Sequence, residues 1–91
     1  MAEIASFHAV VRGRVQGVGF RYFARKRAEA HGIAGFVRNL PDGTVEVHAE
    51  GAAEALSGFE ADLRQGPSFG RVDEASVTSI KPRGFRGFEI R

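Results

Sequence analysis

Residues 33–50, IAGFVRNLPDGTVEVHAE, predict the β-hairpin that decides the fold. The segment 33–40 is rich in strand-forming residues, PDG at 41–43 is typical of a tight turn, and 44–50 alternates apolar and polar side chains. Such alternation indicates a strand with one buried face and one face in water. The predicted buried side consists of Val45, Val47 and Ala49, and the predicted water-facing side of Thr44, Glu46, His48 and Glu50.

A helix is predicted on each side of this hairpin along the chain. The segment that begins at Phe20 repeats apolar residues at helical spacing and ends at Gly32, a residue type common at helix ends. After Gly51, a second amphipathic segment runs to Gly66 and Pro67, which end it. The predicted buried faces of the two helices are formed by Phe20, Phe23, Ala24 and Ala28, and by Leu56, Phe59 and Leu63.

Further strands are predicted at about 7–12, 71–80 and 85–91, which gives the order β-α-β-β-α-β with a short strand appended. Helices with one apolar stripe and strands with one apolar face predict an α+β fold of ferredoxin-like type. In this two-layer sandwich, two helices cover one face of an antiparallel sheet, and the other face is open to water. We expect residues 1–91 to form a single domain, because a chain of this length builds one core and not two.

The composition excludes several kinds of site. The chain has no cysteine, which rules out disulfides, thiol chemistry and cysteine-bound zinc. Its three histidines and its scattered acidic residues have no metal-binding spacing, so we expect no metal and no other cofactor. No apolar run approaches the roughly 20 residues that span a membrane, and MAEIASFHAV (1–10) lacks the pattern of a secretory signal, so a cytoplasmic location is expected. Of the 13 basic residues 11 are arginine, which mildly favours anionic ligands.

The stretch GRVQGVGFR (13–21) lies between the first predicted strand and the first predicted helix. The first N–H groups of a helix have no partner within it and favour an anion. Gly17 and Gly19 can adopt positive φ, which lets successive N–H groups converge, and Arg21 adds a guanidinium. We call residues 15–21 the cradle and predict that it binds one phosphate-sized anion. The spacing fits neither a Walker A loop nor a dinucleotide fingerprint, and from these residues alone a glycine-rich turn with a solvated arginine explains the stretch equally well.

Two longer motifs identify a family. VRGRVQGVGFR (11–21) and GFVRNLPDGTVE (35–46) resemble the two signatures of the acylphosphatase family. Three shorter features follow in the family's order, namely Glu50-Gly51, Gly66-Pro67 and the FEIR of residues 88–91. The resemblance covers nearly the whole chain.

This resemblance implies an acylphosphatase, a metal-independent hydrolase that cleaves the carboxyl-phosphate anhydride of a small acyl phosphate and releases inorganic phosphate. It implies Arg21 and Asn39 as the catalytic pair, with Asn39 orienting a water for in-line attack and Arg21 holding the phosphoryl group. The implied phosphate-binding residues are Val15, Gln16, Gly17, Val18, Gly19, Phe20 and Arg21. We expect a monomer with no covalent intermediate and no nucleic-acid or membrane partner. Without the motif, Asn39 is better explained as an asparagine that stabilises the neighbouring turn.

Three other functions compete with this one. RGFRGFEI (83–90) resembles the aromatic octamer of RNA-recognition motifs, but Arg86 stands where a small residue is needed, and Glu46 and Glu50 face the predicted RNA side. A carrier module, such as the N-terminal domain of carbamoyltransferase maturation factors, is disfavoured by the chain's length and by its lack of zinc-finger cysteines. An anion-binding domain without turnover stays open, because binding a phosphate does not require breaking a bond.

Overall fold

A computed structural model describes residues 3–91, which form two helices and five strands. The predicted β-α-β-β-α-β order with an appended strand is confirmed. The predicted 1–91 domain includes residues 1 and 2, which lie outside the described residues. The elements are β1 (Ile4–Arg14), α1 (Phe20–His31), β2 (Ala34–Asn39), β3 (Val45–Ala52), α2 (Ala53–Gln65), β4 (Arg71–Ser79) and β5 (Phe88–Ile90).

The sheet has the strand order β4-β1-β3-β2-β5, and it is mixed rather than antiparallel throughout. The pairs β1–β3, β1–β4 and β2–β3 are antiparallel, but β5 runs parallel to β2, so the predicted antiparallel sheet is wrong at this edge. The direction of β5 follows from the end of the sheet at which the chain crosses from β4 to β5. β4 ends opposite Phe7, at the end of the sheet where β2 begins, so a strand that crosses there and returns beside β2 must run in its direction.

The core lies between the sheet and the two helices, which pack on the same face. The predicted helical faces are confirmed: Phe20, Ala24 and Ala28 of α1 and Leu56, Phe59 and Leu63 of α2 are buried, while Phe23 is half-buried. At the centre the ring of Phe59 lies 6.2 Å from that of Phe7 and 5.8 Å from that of Phe88, between centroids. Within residues 3–91, no helix is long and apolar enough to cross a membrane.

The outer face of the sheet is only partly open to water. Residues 80–87, which we call the strap, connect β4 to β5 across four strand spacings, roughly 19 Å, a distance that eight nearly extended residues can cover. The strap covers part of the β3 face that was predicted to be wet, where His48 and Glu50 are buried, and Thr44 is buried at the other end of β3, in the turn with Asp42. That prediction is therefore wrong for these three residues, and the last predicted strand shrinks from 85–91 to Phe88–Ile90 because residues 85–87 belong to the strap.

Candidate active site

The loop that joins β1 to α1 has the backbone conformation that its glycines predict. Gly17 has a φ of 74° and Gly19 a φ of 77°, both in the left-handed region that favours glycine. Gly19 is the residue before α1, and no side chain of residues 3–91 caps the helix there. Among those residues, none accepts a hydrogen bond from the amides of residues 16–19. The loop therefore presents several N–H groups to a ligand.

Gln16 fixes the loop to the turn between β2 and β3. Its side-chain Nε2 donates to the backbone oxygens of Leu40 at 2.8 Å and Thr44 at 2.9 Å. The family resemblance implies only a backbone role for Gln16, and this side-chain contact was not predicted. No local pattern pairs position 16 with positions 40 and 44, because the pairing depends on the order of the strands.

Asn39 reaches the loop from the end of β2. In the sheet, Asn39 pairs with Val45 of β3, and Val45 pairs with Val11 of β1, so Asn39 lies two strands, roughly 10 Å, from the strand that leads into the cradle. The adjacent turn is closed by Asp42, whose Oδ1 accepts hydrogen bonds from the Thr44 hydroxyl at 2.6 Å and the Thr44 amide at 3.0 Å. These bonds hold the pKa of Asp42 below its ordinary value. The Asn39 side chain is exposed, and its amide group makes no hydrogen bond within residues 3–91. The side chain therefore does not stabilise the turn.

Arg21 lies in the first turn of α1 and is exposed. Its Nη1 donates to the backbone oxygen of Arg91 at 3.4 Å, and the Arg91 amide donates to Val37 at 2.8 Å, which continues the parallel pairing of β5 with β2. In the described part of the chain, no aspartate or glutamate side chain forms an ion pair with Arg21. Its positive charge is therefore available to an anion, beside the positive end of the helix dipole.

One cavity brings the two predicted catalytic side chains together. It has a volume of about 210 Å³, and none of its lining residues in the described chain is acidic or a histidine. Its lining residues are Val15, Gly17, Gly19, Phe20, Arg21, Tyr22, Asn39 and Ile90. A small electropositive cavity with backbone donors and one guanidinium suits a phosphoryl group.

Not every predicted binding residue lines this cavity, and two lining residues were missed. The side chain of Gln16 points to the β2–β3 turn. Val18 lines a second cavity, which lies between α1 and the end of α2. Tyr22 was missed although it follows Arg21 directly, where an exposed aromatic residue at the start of a helix is the available signal. Ile90 had no sequence signal, because its position depends on the parallel pairing of β5.

The histidines lie away from this cavity. Nε2 of His8 is 2.7 Å from a carboxylate oxygen of Glu46, and Nε2 of His31 is 2.8 Å from one of Asp62. His48 lies under the strap. Across residues 3–91, no cluster of three or more acidic or histidine side chains could hold a metal ion.

Comparisons with known proteins agree with the motifs. Residues 7–90 match the family model described as acylphosphatase. The acylphosphatase of Thermus thermophilus is 50% identical over 82 residues, which span 90% of this chain and 93% of that protein. The crystal structure of an acylphosphatase from Bacillus subtilis superimposes with a TM-score of 0.93 at 41% identity, covering 96% of this chain and 98% of the other.

The same fold also occurs inside a longer protein. The solved structure of T. kodakarensis HypF matches with a TM-score of 0.84 and 36% identity. That match covers 96% of this chain but only 12% of the HypF chain.

Proposed function

This chain belongs to the acylphosphatase family, and from that premise we propose that Arg21 and Asn39 carry out the hydrolysis. The activity itself is that of an acid-anhydride hydrolase, which converts an acyl phosphate to a carboxylate and inorganic phosphate. The observation that supports the assignment of these two side chains is the single cavity of about 210 Å³ that both of them line.

The cradle binds the phosphoryl group of the substrate. The N–H groups of residues 15–20 donate to its oxygens, and the Arg21 guanidinium donates to the same group from the first turn of α1. The positive φ of Gly17 and Gly19 lets these donors converge on one point. The donors are in place before the substrate arrives, so they stabilise charge in the transition state without reorganisation.

The chemistry needs no acid to protonate the leaving group. A carboxylate with a conjugate-acid pKa of about 4 departs unaided. The phosphoryl transition state is loose, so the attacking water needs orientation more than activation. The Asn39 amide cannot act as a base at neutral pH, and it orients the water by a hydrogen bond. The water attacks phosphorus in line as the bond from phosphorus to the carboxylate oxygen breaks, and its proton passes to a phosphoryl oxygen.

We further propose that the enzyme is a cytoplasmic monomer that acts on a small acyl phosphate without a metal, a nucleic acid or a membrane partner. The monomer is supported by the packing, because the apolar faces of both helices are buried within one core. The metal-free reaction is supported by the chemistry above, in which neither the nucleophile nor the leaving group requires a metal.

The test is hydrolysis of benzoyl phosphate by the purified chain in excess EDTA, beside the Asn39→Ala variant and beside a phosphate monoester as substrate. We expect rapid cleavage of the anhydride by the wild type, a large loss in Asn39→Ala, and no cleavage of the monoester, whose poor leaving group would need an acid. Phosphate binding without any cleavage would instead identify a binding domain. Loss of activity in EDTA that added metal restores would contradict the metal-free mechanism.

A further inference from the structure

A second, larger cavity adjoins the cradle cavity. It has a volume of about 930 Å³ and lies between α1, the end of α2 and the loop at 66–69. We call it the acyl groove and define it by Tyr22, Lys26 and Ala30 along α1 and by Pro67 and Phe69 in the loop. The groove and the cradle cavity share Gly19 and Tyr22 among their lining residues, so the two cavities adjoin each other.

Most of the large apolar side chains that are exposed in the described chain line the groove or the adjoining cradle cavity. Large hydrophobic side chains that are exposed within residues 3–91 are Ile4, Tyr22, Phe69 and Ile90. Three of these line the groove or the cradle cavity, and Phe69 is the most exposed, at 83%. Exposed apolar side chains that gather beside a polar site, instead of being scattered singly, are typical of a ligand-binding surface.

The Tyr22 ring is flanked by two cations, and Phe69 is carried by a loop that a backbone hydrogen bond closes. The guanidinium of Arg25 and the ammonium of Lys26 lie 5.6 and 5.7 Å from the centre of the Tyr22 ring. The loop that carries Phe69 is closed by a hydrogen bond of 3.0 Å from the Gly70 amide to the Pro67 oxygen. Across the groove, Arg27 is already paired with Asp62 at 2.7 Å. The groove therefore offers a ligand two aromatic rings beside the polar side chains of Lys26, Gln65 and Ser68.

In-line attack decides which part of the substrate lies in the groove. The attacking and leaving oxygens stand on opposite sides of phosphorus. Asn39, which orients the water in the proposed mechanism, lines the cradle cavity but not the groove. The groove meets the cradle cavity at Gly19 and Tyr22 and is not lined by Asn39, so in-line geometry favours the groove side for the leaving acyl group.

We propose that the acyl groove binds the acyl group of the substrate and favours aromatic or bulky apolar acyl groups, which pack against Tyr22 and Phe69. This inference rests on the proposed function, because the direction of the acyl group follows from the role given to Asn39. Phe69 is then a residue that determines specificity and does not touch the reacting atoms.

The experiment compares benzoyl phosphate with acetyl phosphate in the wild type and in Phe69→Ala, Phe69→Leu and Ile4→Ala. We expect Phe69→Ala to lower kcat/KM for benzoyl phosphate relative to acetyl phosphate by about threefold to tenfold, the size of one aromatic contact, mostly through KM. Phe69→Leu, which stays apolar, should retain part of the preference. Ile4→Ala truncates an exposed apolar residue at the opposite end of β1 and should leave the ratio unchanged.

Binding of two inert analogues, benzylphosphonate and methylphosphonate, is measured by calorimetry on the same variants. Tighter binding of the benzyl compound that Phe69→Ala abolishes supports the groove, and an equal affinity of the wild type for both overturns it. An active wild type whose substrate ratio does not change in Phe69→Ala overturns the groove and leaves the proposed function intact. Failure of the wild type to cleave either substrate rejects the proposed function, and the phosphonates then decide the groove by themselves. If the molar mass of the wild type in solution rises with protein concentration and that of Phe69→Ala does not, the groove binds a second copy of the chain. That result would overturn the inference.

Discussion

The strap and the cradle each bring consecutive backbone N–H groups together, but only the N–H groups of the strap bind a carboxylate of the chain itself. Under the strap, the Glu50 carboxylate accepts hydrogen bonds from the amides of Arg83, Gly84 and Phe85, the last two at 3.0 Å. In the cradle, the amides of residues 16–19 have no acceptor within residues 3–91. Each region uses glycine at positive φ, with Gly84 at 84° and Gly19 at 77°.

The difference lies in where each region meets the rest of the fold. Glu50 is 4% exposed and His48 beside it is 2% exposed, so the strap closes over a charge that the chain itself supplies. The cradle follows the end of β1, and its Arg21 is exposed. No acidic residue in the described chain lines the cradle cavity. Backbone donors that have an internal anion stabilise the fold, whereas in the proposed function the donors of the cradle are left for the substrate.

The largest effect is expected from removing the cradle's guanidinium. Arg21→Ala should lower kcat/KM for benzoyl phosphate by about 1000-fold or more, because an arginine that stabilises a phosphoryl transition state contributes on that scale. Phosphate binding should weaken as well, since in the proposed mechanism the same group also holds the phosphoryl oxygens of the ground state. Steady-state kinetics and calorimetry with inorganic phosphate measure the two effects.

Arg64→Ala is the matched control, because Arg64 is exposed on α2 and pairs with Glu60, away from the cradle. It should change neither kcat/KM nor phosphate affinity. Equal losses in the two variants would mean that general charge, and not the cradle, attracts the substrate.

Removing the water-orienting amide should have the next largest effect. Asn39→Ala should lower kcat by about 100-fold, the scale of losing one positioned polar group, and leave phosphate affinity nearly unchanged. This split is expected because, in the proposed mechanism, Asn39 contacts the water and not the phosphoryl group. Full turnover in this variant would contradict the role of Asn39, and a parallel loss of phosphate affinity would place it among the binding groups instead.

The internal anion should affect stability and not activity. Burial by itself would raise the pKa of Glu50, but hydrogen bonds from His48 and from the amides of Arg83, Phe85 and Gly84 outweigh it and lower the pKa to about 2. A carboxyl whose folded pKa lies below its unfolded value, near 4.5, stabilises the fold above that value and loses the contribution as the pH falls. We expect wild-type stability to drop by roughly 3 kcal/mol between pH 5 and pH 2 from this group.

Urea unfolding of the wild type and Glu50→Gln at several pH values measures this contribution. The variant should be less stable by about 2 kcal/mol at pH 7, because a charged acceptor of several hydrogen bonds is replaced by a neutral one, and this deficit should shrink toward pH 2. A deficit that does not change with pH would contradict the assignment to the Glu50 charge.

The parts that could be predicted from sequence are those fixed by local patterns. Helical spacing located the buried faces of α1 and α2, and the two family motifs singled out Arg21 and Asn39, which line one cavity and whose catalytic roles stay a prediction. The burial of His48 and Glu50 could not be predicted, because alternation shows that a strand has two different faces but not which later segment covers the second one. The positions of Ile90 and Phe69 depend in the same way on the strap, the parallel pairing of β5 and the loop after α2.

The smallest effects are expected from replacing one glycine in the cradle and one in the strap, and this pair of variants compares the two regions directly. Gly19→Ala and Gly84→Ala place a side chain at nearly the same positive φ, and at neither position would the added Cβ meet another atom within 4 Å. Each should therefore cost about 1 kcal/mol of stability through backbone strain alone. Only Gly19→Ala should also weaken phosphate binding, by about threefold to tenfold, as the loop relaxes toward negative φ and its N–H groups diverge.

Urea unfolding and calorimetry with inorganic phosphate measure both quantities on both variants. Gly84→Ala is the matched control, since it has the same strain at the region whose anion is internal. A similar loss of phosphate affinity in the two variants would mean that strain anywhere in the fold weakens the site, so the geometry of the cradle would no longer explain binding. A loss confined to Gly19→Ala would show that convergence of the N–H groups depends on left-handed backbone at this residue, independently of the Arg21 charge.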